Sequence, residues 1–546
     1  MLSRVKKDTI IMDQATIIKD PGSVQIKRAL ISVSNKSEIE RFASELVKRG
    51  IKIIATQGTV SFLKEKGIDA EEISDYTGMP ELMEGRVKTL HPKIHGGILA
   101  QKDKAAHREA LLAHDIQPIE LVVVNLDGFV DIIAESDDED ACLDHIDIGG
   151  LAMIRSAAKN YKNVTVVTDP KDYQSVLDDL AVHDGGVTQG LRKRLAANAF
   201  SLTATYDANI SGWFQGKKTD SDFPARYSVS GTLEHVLRYG ENPQQKAALY
   251  NDGSRATGVV NAKHVQGQDL SYNNVIDADA GFKLVSSFEA PCVAIIKHGN
   301  PCGVACAEDT VQAYERALKC DPLSARDGCV SLNRPLDLET AEIIVKMATK
   351  VIIAPSVASD ALDFLGANED LHVLATGEAP EAHSSRLMTR SLTGGFLVQE
   401  PNNIIITADD LEIVTERSPT ENELADLLFA FNVCKYVTSN AIVYVKDAMC
   451  VGIGAGQASR TDAALLAARK AKAVSEMLDL EHSLLRNSVV ASDGFFTFAD
   501  SLITAADAGV TAIIQPGGSA HDKDVIAAAD DRAIAMVFTK IRNFKH

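Results

Sequence analysis

No stretch of this chain approaches the ~20 consecutive apolar residues that a membrane-spanning helix needs, so no membrane span is expected. The eight cysteines lack paired metal-binding spacing. Cys302 and Cys306 with His298 match no known zinc pattern, and no metal site is expected. Reduced thiols in a cytoplasmic protein are the default reading. Positive charge is short: 56 Lys and Arg stand against 75 Asp and Glu, for a net charge of −19. That balance disfavours nucleic acid as a bulk partner, and an anionic ligand would need a local basic cluster. Low-complexity segments are missing. Arg4, Lys6 and Lys7 open the chain, but Asp13, Gln14 and Lys19 break the apolar stretch behind them. This is a poor signal peptide, and residues 1–27 read as a loose tail.

What is present fits a large globular α/β protein. At 546 residues the chain has room for about two to four domains with sizeable cores. The first ~200 residues alternate apolar runs with helical patterns, which predicts a parallel sheet with helices on both faces. Strands are expected at 28–34, 51–55, 121–125 and 164–168. A helix is expected from about Ser37, as N-cap, to Gly50, as C′ residue. A second should open after Thr56-Gln57-Gly58-Thr59 and end near Gly67. The acidic run 137–140 reads as a solvated loop, and the polar residues 216–230 as a linker. From 231 onward three apolar runs end in similar turns: Ile296-Lys297-His298, Ile352-Ile353-Ala354 and Ile513-Ile514-Gln515. A duplicated α/β unit would produce such turns. The glycine-rich Val451–Gly456 stretch predicts close approach to a ligand or to another backbone.

Three features carry chemistry. In Ala294–Gly303 an apolar strand delivers Lys297 and His298 into a Gly/Pro turn. Strand ends are where open α/β sheets bind ligands. A cation beside an imidazole suits an oxyanion stabiliser next to a proton acceptor. The same pair also fits a lysine at a strand end beside a histidine satisfied in its loop. The run Gly85–Gly97 packs Arg86, Lys88, His91, Lys93 and His95 into one segment, as a phosphate site would. A solvated basic loop is the other reading. Ser34-Asn35-Lys36 and Thr56–Thr59 are Ser/Thr/Gly turns after strands, where helix N-termini bind anions. Together they predict a nucleotide-monophosphate site.

The motifs GRVKTLHPKIHGGIL, IDIGG, AAKN, LRYGENP, LSYNN, KHGNPCG, YVTSNAIVY, GIGAGQASR and IQPGGS stand in order along the chain. From about residue 28 to the C-terminus it resembles the bifunctional purine-biosynthesis enzymes. These join aminoimidazole carboxamide ribonucleotide (AICAR) transformylase to inosine monophosphate (IMP) cyclohydrolase. The resemblance implies a methylglyoxal-synthase-like parallel-sheet domain at 28–215. After the linker it implies a transformylase domain at 231–546, built from two cytidine-deaminase-like α/β/α subdomains without zinc. It implies a cytoplasmic homodimer acting on small molecules, with 10-formyltetrahydrofolate as co-substrate and no tightly bound cofactor. His298 would accept the proton of the AICAR amine, Lys297 would stabilise the oxyanion and Asn440 would orient the formyl group. Arg238, Tyr239 and Arg460 would hold AICAR, and Phe495, Asp500, Ser519, Ala520 and Arg542 would contact the substrates. In the cyclohydrolase Ser34, Lys36, Thr56, Gly58, Thr59, Arg86, Lys88, Thr89 and Asn125 would bind the nucleotide. Asp147 would assist, and Lys159 would be the proton donor.

The chain departs from the family pattern at several of these places. After Asn125-Leu126, Asp127-Gly128-Phe129 stands where a Tyr-Pro-Phe stretch is usual, and Gln57 replaces the first glycine of a phosphate turn. Arg326-Asp327 stands where a Phe-Gly pair is usual, and Lys350 replaces an acid facing the AICAR amine. Thr497 and Ala499 replace a proline and an arginine, and Gln244 and Gln268 a histidine and a lysine. The resemblance therefore leaves two readings, a working enzyme with compensating groups or a copy that binds nucleotide and folate with one or both activities impaired. One compensation is an Asp327 acceptor with Lys350 as its ion partner.

Overall fold

The computed structural model describes residues 22–126, 128–136, 138–216, 223–379 and 387–546. Asp127 lies outside them, as do parts of the expected tail and linker. The chain divides into two compact units, Met1–Gly231 and Thr232–His546.

Unit 1 carries a five-stranded parallel sheet in the order Glu71–Glu72, Lys52–Ala55, Arg28–Ser32, Leu121–Val124, Thr165–Val167. Its central strands are buried on both faces (Leu30, Ile31, Ile53, Ile54 and Val122–Val124), which is why they read as continuous apolar runs. The helix Ile39–Lys48 buries Ile39, Phe42, Ala43 and Leu46 on one stripe. It is not capped by Ser37, because Glu38, in the left-handed region at φ +59°, intervenes as the N-cap and makes no side-chain cap bond. The helix starts behind Glu38 instead. Gly50 and Gly67 do take the positive φ expected of helix-ending residues, +75° and +72°. Two expectations need correction. Val24–Gln25 is not loose but pairs antiparallel with Gly186–Val187. The acidic run enters a helix, Glu139–Asp144, whose N-cap Asp138 accepts the Asp140 and Ala141 N–H groups. Acidic residues in a first helical turn complement the macrodipole.

Unit 2 holds a twelve-stranded sheet made of two equivalent halves. Each half runs from a central hairpin outward. In the first half the order is Asn300–Cys306, Cys292–Lys297, Gly328–Leu332, Thr349–Ala354, His372–Ala375, Lys263–Gln266. In the second it is Met449–Gly454, Ile442–Lys446, Ser488–Ser492, Val510–Gln515, Ala535–Phe538, Glu412–Ile413. Parallel and antiparallel pairings match step for step. The halves join where Ala305 pairs antiparallel with Met449. A 14-residue helix with a capping box, Tyr272–Val285 in one half and Glu421–Cys434 in the other, precedes each hairpin.

The duplication is real, but the three similar turns are not three copies. The strands ending at Ala354 and Gln515 are equivalent, whereas Lys297-His298 enters a two-residue hairpin turn whose counterpart is Lys446-Asp447. His298 and Gly299 have φ of +54° and +70°, and Asp447 and Ala448 have +54° and +55°. Two consecutive positive φ values mark the turn whose twist matches paired strands.

The glycine-rich stretch approaches another backbone. A Cβ on Gly452 would stand 2.7 Å from the Ala467 carbonyl oxygen, and one on Gly454 2.0 Å from that of Ala463. Both carbonyls belong to the helix Arg460–Met477. The first half repeats the device, with Gly303 2.0 Å from the Ala317 oxygen. Gly303→Ala should therefore force strand and helix apart. We expect a loss of about 1–3 kcal/mol, read as a lower urea midpoint of unit 2. An unchanged midpoint would show that the helix can shift freely.

Candidate active sites

In unit 1 the chain crosses the sheet from one side of Arg28–Ser32 to the other, so the carboxyl ends of that strand and Leu121–Val124 flank a topological switch point. The expected turns converge there. Asn125 Oδ1 accepts from Ser34 N–H (2.7 Å), Ser34 Oγ (3.0 Å) and Asn35 N–H (3.2 Å), while its Nδ2 donates to Asn35 O (2.9 Å). Thr59 Oγ1 accepts the Val33 N–H (3.3 Å), and Thr56 Oγ1 donates to Ser32 Oγ (3.2 Å). Asn125 and Thr59 thus spend their side chains on shaping the loop. The helix Gln57–Glu65 begins behind Thr56 without a side-chain cap. A Cβ on Gly58 would meet nothing within 4 Å. Open amides before free space make an anion cradle. Lys36 Nζ stands 6.0 Å from the Phe62 ring centre.

A second cluster adjoins through Leu126, which lies 3.1 Å from a Cβ placed on Gly150. Asp147 Oδ1 accepts the Gly150 N–H (2.7 Å), and the Asp147 N–H donates to Tyr206 Oη (2.9 Å). Buried Thr89 packs on Gly149. Arg86 pairs with Asp144 (2.5 Å) and Lys88 with Glu81 (3.4 Å), both in exposed positions. Lys159 is not brought into this group. It is exposed at the other end of the 11-residue helix Gly149–Lys159, roughly 15 Å along the axis. His95, one of the five basic side chains of the Gly85–Gly97 run, turns inward: its Nδ1 meets Ser156 Oγ at 3.1 Å and its Nε2 is buried without a hydrogen-bond partner. Burial lowers its pKa, opposed by the Thr89 backbone.

In unit 2 the Lys297–His298 turn sits at one end of the seam between halves. Asp277 Oδ1 accepts the Gly299 N–H at 2.7 Å. Burial raises the Asp277 pKa, opposed by the N–H groups of Gly299 and His298. Lys297 Nζ donates to the Arg326 carbonyl oxygen. Asn300 Oδ1 accepts the Thr438 N–H (2.9 Å), which brings the second half's loop alongside. On that loop Asn440 Nδ2 donates to Gln457 O (2.9 Å) and Ala458 O (3.1 Å). Ser439 Oγ donates to Asp493 Oδ2 (2.5 Å). Asp493 is fully buried, and its other oxygen lies 3.7 Å from Arg460. Burial raises the Asp493 pKa and lowers that of Arg460. The Arg460 guanidinium lies 5.8 Å from the Phe495 ring and 5.6 Å from Phe544, over which Arg542 also stacks at 4.3 Å.

The remaining expected residues form flanks. Arg238 stacks over Tyr239 at 5.8 Å, and Tyr239 O accepts the Tyr272 N–H (3.4 Å) at the start of the helix that carries Asp277. Phe495–Asp500 and Ser519-Ala520 meet through Phe496 N–H and Gln515 Oε1 (2.8 Å), and through the Phe498 and His521 rings (5.1 Å). The Ser519 N–H is held by Asp522 (3.1 Å). The compensating pair is not formed as expected: Asp327 lies 4.0 Å from Arg326, both exposed, and no described ion pair joins it to Lys350. Lys350 instead bears on His372, whose pKa is lowered chiefly by burial and also by that cation.

The family models match both units. The description "AICARFT/IMPCHase bienzyme" matches residues 157–470, and "MGS-like domain" matches residues 38–152. The chain belongs to the AICARFT/IMPCHase bienzyme family. The "Bifunctional purine biosynthesis protein PurH" of Rhodospirillum rubrum is 51% identical over 96% of this chain and 99% of its own length. The proteins of the same name from Dinoroseobacter shibae and Agrobacterium fabrum are 50% and 47% identical, over 96% and 97% of this chain and 99% of theirs.

Asn125 gives a direct test of the cradle in unit 1. Asn125→Ala removes one acceptor shared by three donors, and a neutral hydrogen bond contributes about 1 kcal/mol net. Calorimetric titration with IMP should show binding weakened about tenfold. Affinity unchanged in this variant would show that the Ser34 loop holds itself.

Proposed function

We propose that this chain carries out both steps that close the purine ring, formyl transfer to AICAR in unit 2 and cyclisation of formyl-AICAR to IMP in unit 1. The observation that carries the reading is the convergence of Lys297-His298, Asn440 and Arg460 on one end of the unit 2 seam. His298 takes the proton from the AICAR amine as its nitrogen attacks the formyl carbon of 10-formyltetrahydrofolate. Lys297, held at its strand end, offers an ammonium to the developing oxyanion. Asn440 orients the formyl group. Arg460, backed by Asp493 and flanked by Phe495, Phe544 and Arg542, holds the ribonucleotide. Tetrahydrofolate leaves, and the formylated product goes to unit 1.

In unit 1 the amides at Gly58 and the Ser34 loop hold the phosphate. Arg86 and Lys88 exchange their carboxylate partners for the ligand. Asp147 and Lys88 serve the ring closure that expels water; Lys159, at the far end of its helix from Asp147, takes no part. Buried, unpaired thiols support a cytoplasmic setting, since all eight cysteines are free. Exposed apolar side chains support a homodimer: Leu233, Val236 and Tyr250 on one hairpin, and Met388, Leu392, Phe396 and Leu397 on another.

Purified protein supplied with AICAR and 10-formyltetrahydrofolate should release tetrahydrofolate and form IMP. Neither product appearing would end this reading. His298→Ala should slow formyl transfer by at least ~100-fold, because it removes the general base. Cyclisation of supplied formyl-AICAR should keep its parental rate. Transfer at near-parental rate in the variant would remove His298 from the mechanism.

A further inference from the structure

The last residues of the chain are built into the unit 2 site. Asn543 N–H donates to Asp493 O (2.9 Å), Ser439 N–H to Lys545 O (2.9 Å) and Lys545 N–H to Ser439 Oγ (3.2 Å). The part-buried Lys545 side chain then crosses the seam. Its ammonium donates to Gly299 O (3.2 Å) and to Tyr436 O (2.8 Å). Gly299 follows His298 in the turn, and Tyr436 lies four residues before Asn440. One side chain therefore spans a carbonyl from each half.

The duplicated half supplies the comparison. The carbonyl equivalent to that of Gly299 belongs to Ala448, and it accepts the Cys306 N–H of the neighbouring strand (3.0 Å). There the sheet itself holds the turn. At the His298 turn the same role falls to an ammonium brought from the C-terminus. The partners of that ammonium are peptide oxygens rather than a carboxylate, which fixes position without forming an ion pair. Burial lowers the Lys545 pKa, so the desolvated cation has a stake in keeping both carbonyls.

We propose that Lys545 is a positioning residue for formyl transfer, holding the His298 turn and the Ser439–Asn440 loop at a fixed separation. The proposal rests on the reading of His298 and Asn440 given above. Misplacement of a reacting group by about 1 Å costs on the order of 100-fold in rate. Without the Lys545 ammonium the Gly299 carbonyl loses its donor, while the loop keeps its bonds within the second half to Asp493, Gln457 and Ala458, and the turn and the loop are still linked across the seam by the Asn300–Thr438 bond.

The test uses the full chain with Lys545→Met, which keeps bulk and removes the donors, and Lys545→Arg, which keeps a cationic donor. In the Met variant kcat for formyl transfer should fall about 100-fold while KM for AICAR changes by less than about threefold. Cyclisation of supplied formyl-AICAR should stay at the parental rate. The Arg variant should recover at least about a tenth of the parental kcat. Crystals of the Met variant should show the Gly299 carbonyl and His298 displaced from their parental positions. Parental kcat in the Met variant, a loss confined to KM, failure of the Arg variant to recover, or an unmoved turn would each overturn the proposal. So would a loss of cyclisation and thermal stability along with transfer. A parent chain that transfers no formyl group would sink the functional reading instead, and the crystal comparison would still decide whether Lys545 sets the turn.

Discussion

A carboxylate under each hairpin turn is the contact on which both ends of the unit 2 seam depend. Non-glycine residues resist positive φ at a cost of about 1–2 kcal/mol each, and the turns contain His298, Asp447 and Ala448 in that region. Asp277 answers the first turn through the Gly299 N–H (2.7 Å), and Asp426 the second through the N–H groups of Asp447 and Ala448 (both 2.7 Å). Burial raises the pKa of both carboxyls, and the same N–H groups pull it back. Charge-assisted bonds of this kind are the stronger ones. They hold an imidazole in a backbone conformation it would otherwise leave, at the point where the sheet ends.

The second half shows which parts of that turn are scaffold. Lys446 Nζ donates to Arg486 O (3.1 Å), just as Lys297 Nζ donates to Arg326 O. A lysine tied to the carbonyl before the next strand is thus common to both halves, and its presence alone marks no reactive site. The imidazole is what differs. Because the central strands run antiparallel, the two turns lie at opposite ends of the seam. Only the His298 end also receives the Asn440 loop, Arg460 and the C-terminus. Duplication supplied two similar frames, and divergence of a few side chains set an imidazole in one of them.

Legibility followed sequence distance. Parallel strands buried on both faces announce themselves as apolar runs, and Gly50 and Gly67 end helices for a local steric reason, so these could be read directly. The N-cap could not, because Glu38 takes a left-handed conformation between Ser37 and the first helical residue. The glycines at 452 and 454 announced close approach, but only the packed helix identifies Ala467 and Ala463 as what is approached. Asp277, Asp493 and Lys545 carried no motif of their own. Each acts through a partner far along the chain, Lys545 through Gly299 most of all. Lys159 shows the converse: it lies near Asp147 in sequence, and helical rise carries it away from Asp147 in space.

On the proposed function, unit 1 must hold a phosphate within a chain of net charge −19. Its field beyond about 8 Å is screened at physiological ionic strength, so the local groups decide. The amides at Gly58 and the loop pinned by Asn125 are fixed dipoles that need no counter-ion. The nearby cations are neutralised in the free chain, Arg86 by Asp144 and Lys88 by Glu81, but all four side chains are substantially exposed. Exposed pairs of that kind contribute only about 0–1 kcal/mol. A dianionic phosphate, which can meet a guanidinium with two bonds, would outcompete a single carboxylate for Arg86. On the proposed function, Asp144 and Glu81 therefore need not oppose binding, since pairs this weak would yield to an anion with more charge and more acceptors.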